Sequence, residues 1–326
     1  MRGPVTILLQ ILLMVVIIFS SLPVDTWAAF GHMVVAEIAK RNLDADVLEK
    51  VKQYTQHLSE SGPFPKIPDF VQSACWPDDL KSYDLGVMNG WHYTANVYSR
   101  DGFELKEPLQ QKSNIVSVID SLSATLSYHE TPLYVRSFAL AHLIHHYGDI
   151  HQPLHTTSQV SSEYKTGDLG GNLVHVRVRN TTTKLHSFWD DICRPSISMK
   201  RPLEEKHYAK VRSFADRLVE TYDVSWEHRR QTNATIMSME GFELAKEIAY
   251  AGVVNGSQLS SQYVDRCVET AEQRMTLAGY RLATHLNNIL GSKPAAPAVP
   301  PAEGGVCSTA TYGAILILGV LFCCHF

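Results

Sequence analysis

Positive charge is not in surplus in this 326-residue chain: 29 Lys plus Arg stand against 33 Asp plus Glu, for a formal charge of -4. A protein that tracks phosphates with its own cations normally carries a basic excess, so charge alone argues against nucleic acid as a partner. No pair of cysteines has CxxC spacing, which disfavours a thiolate zinc site, and no His-Glu-x-x-His occurs, which disfavours a zinc protease of that class. There is no internal repeat, and short alternating stretches are few. With 45% hydrophobic and 19% charged residues, the composition also excludes a disordered polyampholyte or a collagen-like chain. What remains is a packed, mostly helical chain whose apolar residues are concentrated at its two ends.

The N-terminus carries one positive charge, Arg2, then an apolar run from Val5 to Phe19 and small residues up to Thr26. This is the pattern of a secretory signal peptide over 1–26, cut after Thr26, and the run is short of the ~20 residues of a spanning helix. At the other end, 291–311 reads as a Pro/Ala-rich linker that can hold no core. Tyr312 to Phe326 is apolar to the last residue with no basic flank beyond it, which fits either a lipid-anchor attachment signal or a short anchoring helix. Both readings place the domain in the secretory pathway and on the outer face of a membrane.

Three sequons, at Asn180, Asn233 and Asn255, fit glycosylation in that setting. Of the six cysteines, Cys75, Cys193 and Cys267 lie in the middle segment. Cys193 with Cys267 is the expected disulfide, although the spacing does not select the pair. Helical spacing of apolar residues predicts helices near Met33–Leu43, Ile115–Leu126, Tyr134–Tyr147, Tyr208–Tyr222, Met239–Ala251 and Tyr263–Ile289. Leu173 to Val178 alternates and predicts a strand of a small hairpin. Glu37 and Lys40, on the first helix, read as a solvated face. The fold class is therefore mainly α, one helical domain with a small β-hairpin.

Eight of the 15 histidines fall between His129 and His186. On a helix, His145 and Asp149 stand one turn apart on one face, presenting an imidazole and a carboxylate to a single ion. Pro153 ends that helix, so His155 lies on a following turn that can fold back toward Asp149. His186 and Asp190 repeat the same spacing. His142, His146 and His151 read as ordinary core or surface histidines. Paired imidazoles and carboxylates without cysteine suit zinc, with manganese or iron also acceptable to these ligands.

The chain resembles the zinc-dependent class I single-strand nucleases, a group that includes fungal, plant bifunctional and trypanosomatid 3'-nucleotidase/nuclease enzymes. The resemblance rests on Trp27-x-x-x-Gly31-His32, Trp76-Pro77-Asp78, Trp91-His92-Tyr93, the stretch from His145 to His155, Gly170-Gly171-Asn172 and Leu185-His186-Ser187-x-Trp189-Asp190, in family order across 27–290. Ser61 to Pro65 and the apolar tail look most like the trypanosomatid branch. The resemblance implies the helical fold shared by zinc phospholipase C and the fungal nucleases, and three zinc ions per chain. One would be held by Asp78, His92, His145 and Asp149, and a second by His155, His186 and Asp190. The third would take His32, Asp149 as a bridge, and the amine and carbonyl of Trp27, so that cleavage after Thr26 would create a metal ligand.

The implied reaction is hydrolysis of single-stranded RNA and DNA to 5'-mononucleotides and removal of the phosphate from 3'-nucleotides, serving nucleotide salvage at the cell surface. Asp78 and Asp149 would be catalytic through the metals, which lower the pKa of bound water to about 7. Lys81, where relatives often carry Arg, is the candidate phosphate contact, and the change loses the bidentate fork. Asn172 is a candidate for the phosphoryl group, and Tyr93 for stacking on a base. Two departures, Thr94-Ala95-Asn96 without the fungal Asp and Ile192 in place of a polar residue, leave base preference open. The competing readings are a zinc phospholipase C-like phosphodiesterase and a non-catalytic surface protein that binds metal or nucleotides. No protein partner is expected, and the chain is read as a monomer. Three divalent cations would more than offset the acidic excess with which the composition began.

Overall fold

The structure is a computed structural model that describes residues 28–62, 69–109, 111 and 113–292. The signal peptide, Trp27, the apolar tail, nearly all of the 291–311 linker and most of Ser61 to Pro65 lie outside the described residues. Among those described, no helix is long and apolar enough to cross a membrane.

Helix α1 (Ala29–Arg41) is buried without interruption from Phe30 to Ala39, because it is apolar nearly all round. Glu37 therefore does not face solvent as expected: it is 4% exposed and accepts a hydrogen bond from Arg41 at 2.8 Å. The next helix, α2 (Ala45–Ser61), is amphipathic and turns Val47, Val51, Tyr54 and Leu58 inward. Two one-turn helices follow, α3 (Phe70–Ser73), capped by Asp69, and α4 (Trp76–Asp79) with Pro77 in its first turn. Two 3-10 segments, Leu80–Tyr83 and Gly86–His92, lead to strand β1 (Asn96–Ser99). A reciprocal capping box between Asn114 and Ser117 starts α5 (Ile115–Ser127), which packs on α6 (Leu133–Asp149).

Every residue of α6 from Ala139 to Asp149 is buried. Beyond it the chain makes a 3-10 turn, Pro153–His155, and enters β2 (Thr157–Val160). The predicted hairpin is present as β3 (His175–Val178) antiparallel to β4 (Thr181–Lys184), and it runs directly into α7 (Leu185–Asp190). Helices α8 (Glu205–Thr221), α9 (Trp226–Arg230) and α10 (Ala234–Leu244) follow, the last continuing as a π-helical turn, Ala245–Ala249. A two-residue strand β5 (Ser257–Gln258) precedes α11 (Ser261–Leu290), 30 residues and so about 45 Å long.

The α11 helix lies along α1, and Gly279 permits the close crossing: a Cβ there would stand 2.6 Å from two carbons of Ile38. The main core joins α1, α2, α5, α6, α8 and α11, and a second core gathers Leu154, Val176, Leu185, Trp189 and Tyr250 beneath the hairpin. The expected disulfide, Cys193–Cys267, ties α11 to the segment after α7 with a Cα separation of 6.0 Å.

Two pairings were not expected from alternation. Strand β1 runs parallel to β2, with Asn96 opposite Thr157, and β5 runs parallel to β3. The β2 residues Thr157, Ser158 and Gln159 are polar yet buried, so no hydrophobic pattern marks the strand. That pairing starts immediately beyond His92 and His155, and the Thr94 amide donates to the His155 carbonyl at 2.8 Å.

Candidate metal centre

The end of α6 brings His145 and Asp149 onto one face, as the spacing predicts, and both are fully buried. His145 Nε2 stands 3.0 Å from Asp149 Oδ2 and 2.9 Å from His92 Nδ1. His92 Nδ1 is in turn 3.0 Å from the same carboxylate oxygen. Asp78, carried in by α4, places Oδ1 at 3.6 Å from His145 Nε2 and 3.7 Å from His92 Nδ1. Its neighbour Asp79 turns away into a bidentate pair with Arg201, which resolves which of the adjacent aspartates serves the cluster. From α1, His32 stacks on His145 with ring centroids 3.9 Å apart and sets Nε2 3.4 Å from Asp149 Oδ1.

On the far side of Asp149, His155 and His186 stack at 4.8 Å between centroids. His155 Nε2 lies 3.5 Å from Asp190 Oδ1, and His186 Nε2 lies 3.4 Å from Asp190 Oδ2. Asp149 Oδ1 is 3.5 Å from His155 Nδ1, so this carboxylate faces both groups. Every residue of the predicted ligand set except Trp27, which is not described, is thus drawn into one contiguous cluster. Ala28 next to it donates its amide to the Asp190 carbonyl at 2.9 Å, fixing the start of α1 beside α7.

Backbone carbonyls set the proton positions. His145 Nδ1 donates to Ala74 O at 2.7 Å, His186 Nδ1 to Gly170 O at 2.7 Å and His155 Nδ1 to His92 O at 2.8 Å. A carbonyl only accepts, so in each neutral ring Nε2 carries the lone pair and points inward. His186 Nε2 and Asp190 Oδ2 therefore face each other as two acceptors. Asp149 Oδ1, His155 Nε2 and Asp190 Oδ2 are buried with no hydrogen-bond partner. Such atoms cost several kcal/mol unless a cation compensates them. Tetrahedral coordination at 2.0–2.1 Å sets ligand atoms about 3.3 Å apart, and the contacts above run from 2.9 to 3.7 Å. The residues fit a metal on both counts. Three groups of potential ligands meet a 4.8 Å mutual limit: His92, His145, His146 and Asp149; His32, Asp78 and His145; and His155, His186 and Asp190.

The electrostatics agree. Burial lowers His32 and takes His92 down to about 3, favouring neutral rings. Burial also works against a charged His155, but Asp149 and Asp190 outweigh it and push that ring up to about 9. Asp149 is held well below the usual carboxylate range: burial would raise it, and His145 and His155 overcome the burial. Asp149 thus stays ionised and draws positive charge to the cluster.

The other expected residues stand around this core. Lys81 Nζ donates to Asp78 Oδ1 at 2.6 Å. Asn172 donates from Nδ2 to Leu169 O at 2.9 Å, while its Oδ1 is buried without a partner. Gly170 and Gly171 both have positive φ, and a Cβ on Gly170 would stand 2.5 Å from Leu154 O, so only glycine lets this loop offer its carbonyl to His186. Tyr93 is 45% exposed beside buried His92. Asn180, Asn233 and Asn255 are all exposed.

Sequence reasoning passed over three features. Gln152 donates to Asp190 Oδ1 at 2.7 Å, a contact hinted at by its place between the two ligand stretches. Asp168, fully buried, accepts from the Gln159 amide and from Tyr250 OH at 2.8 Å, bracing the glycine loop. His146 reaches Asp149, and only helix neighbourhood marked it.

A mainly helical domain whose buried histidines and aspartates converge in this way is built as a metal-dependent hydrolase. The S1/P1 Nuclease family model matches residues 27–291, and the chain belongs to that family; it is a nuclease. It is 27% identical to Endonuclease 3 of Arabidopsis thaliana over 82% of this chain and 90% of that protein. It is 23% identical to Nuclease S1 of Aspergillus oryzae, over 82% of this chain and 93% of the relative. Nuclease P1 of Penicillium citrinum matches at 22% identity over 82% and 99%.

Proposed function

We propose that the protein is an exported, three-zinc nuclease and 3'-nucleotidase that cuts single-stranded RNA and DNA to 5'-mononucleotides and releases phosphate from 3'-nucleotides. The observation that carries this is the convergence of buried imidazoles and carboxylates, in which Asp149 Oδ1, His155 Nε2 and Asp190 Oδ2 have no hydrogen-bond partner. Asp78, His92, His145 and Asp149 would hold one ion, and His155, His186 and Asp190 a second. His32, Asp149 and the amine and carbonyl of a mature Trp27 would hold the third. Bound zinc supplies Lewis acidity toward a phosphoryl oxygen and makes water a usable nucleophile near neutral pH.

The chain's own residues do the rest. Asp149 offers one carboxylate oxygen to each side of the cluster and fixes their spacing. Lys81, now paired with Asp78, presents the ammonium that a scissile phosphate would meet. Asn172 brings its partnerless Oδ1 and its amide to the phosphoryl group, and Tyr93 offers an exposed ring on which a base can stack. Buried Trp76 and half-buried Trp91 exclude water behind the ligands. Export is supported by the Cys193–Cys267 disulfide and by three exposed sequons, and we read the apolar tail as the membrane attachment of a cell-surface salvage enzyme. Elemental analysis of the secreted protein, together with its N-terminal sequence, tests the reading. Three zincs per chain and a Trp27 start are expected. A metal-free protein that still degrades poly(A) would overturn it.

A further inference from the structure

We propose that His142 and His146 form a two-imidazole relay that ends on Asp149 and orients this carboxylate for the metals, an inference that rests on the metal-centre reading above. His146 Nδ1 lies 3.5 Å from Asp149 Oδ2, and His146 Nε2 lies 3.4 Å from His142 Nδ1. His142 Nε2 is buried with no hydrogen-bond partner. Around the outer ring stand Phe138 at 4.4 Å, Trp91 at 5.3 Å and Trp76 at 5.7 Å between centroids. Both imidazoles are fully buried.

Each neutral ring carries one N–H, and one arrangement satisfies both. A proton on His142 Nε2 would be a buried donor without an acceptor, at a cost of about 1–3 kcal/mol. On Nδ1 it is donated to His146 Nε2. His146 must then hold its own proton on Nδ1, the atom that faces Asp149 Oδ2. The bare His142 Nε2 is left among aromatic side chains.

His146 stands in one group of potential ligands with His92, His145 and Asp149, and zinc stoichiometry separates the relay from direct ligation. His145 and Asp149 share a face at i and i+4, whereas His146 sits one residue round the helix and approaches Asp149 at i+3. His92 and His145 bring their nitrogens to 2.9 Å of each other. The rings of His146 and His145 meet edge-on at 5.4 Å. His146 thus brings a third imidazole to the oxygen that His92 and His145 also address. An N–H from His146 to Asp149 Oδ2 would hold this carboxylate in place, as outer partners set ligand orientation.

The test is zinc affinity of the purified secreted protein, measured by competition with a chromogenic chelator, with stoichiometry by elemental analysis and folding by circular dichroism. His146→Phe keeps a ring but no donor, and zinc binding should weaken about 10–100-fold with unchanged stoichiometry at saturating zinc. His146→Asn places an amide N–H near the position of the ring Nδ1–H and should restore affinity to within a few-fold of the parent. His142→Phe should weaken binding as well, because His146 loses the partner that fixes its tautomer. Parental affinity in both Phe variants would overturn the relay, as would loss of one full zinc equivalent in both His146 variants, which would make His146 a ligand. If His146→Phe does not fold, His142→Phe and His146→Asn carry the test. Asp149→Asn is the control on the underlying reading: if it keeps three tight zincs, the metal-centre assignment fails rather than the relay.

Discussion

Asp149 is the residue on which the site depends, since its two oxygens face His92 and His145 on one side and His32 and His155 on the other. If the proposed function holds, Asp149→Ala should abolish hydrolysis of 3'-AMP and of single-stranded nucleic acid together; near-parental turnover on either substrate by a folded variant would overturn the shared centre. Lys81 acts from a neighbouring position. Its ammonium is 2.6 Å from Asp78, so removing it changes phosphate binding and leaves Asp78 without its closest cation. Lys81→Ala should lower kcat/KM on both substrates by roughly a hundredfold, the scale of losing one transition-state donor. Lys81→Arg tests whether the bidentate fork adds to that share. Helical spacing marked His145 with Asp149 and His186 with Asp190, and the resemblance supplied His32, Asp78 and His92. Asp78 over Asp79 came only from resemblance. The physical reason for the choice, that Arg201 takes Asp79, is a contact 122 residues away in the chain and invisible to local pattern.

At the scale of elements, the glycine loop before β3 shows how backbone conformation serves the centre. Gly170 combines φ of 64° with a Cβ position 2.5 Å from Leu154 O, and its carbonyl holds His186 Nδ1. Gly170→Ala should destabilise the fold by about 1–3 kcal/mol and weaken zinc at the His155, His186 and Asp190 group while sparing the other side. Thermal melting and zinc titration of the same preparation check both halves. The helices were readable from their apolar period, and the end of α6 was readable because Pro153 cannot continue it. Strand β2 was not. Its residues are polar and buried, so its position comes from pairing with β1, and its buried groups find partners only after the chain has closed.

Across the whole molecule, two constraints outside the ligand cluster contribute to stability. The disulfide closes a 74-residue separation, and replacing both Cys193 and Cys267 with Ala should cost about 3–5 kcal/mol in urea unfolding. Glu240 joins Arg274 and Arg281 of α11 to α10. Burial would raise its carboxyl, but Arg281 and Arg274 overcome this and hold it below its ordinary value of 4.5. A depressed folded-state value contributes stability that is present above 4.5 and is lost as pH falls through the lower folded value. Glu240→Gln should therefore destabilise the protein at neutral pH and flatten its loss of stability in acid, as read from unfolding free energies between pH 3 and pH 7. The sequence by itself determined the helical class and the His-x-x-x-Asp pairs, because these depend on spacing along the chain. Tertiary structure decided which carboxylate enters the cluster, which ring nitrogens face it, why glycine stands at 170, and that His142 reaches His146 where His146 reaches Asp149. Those outcomes depend on distances between segments and on which buried acceptors lack a donor, which exist only once α1, α4, α6 and α7 have packed together.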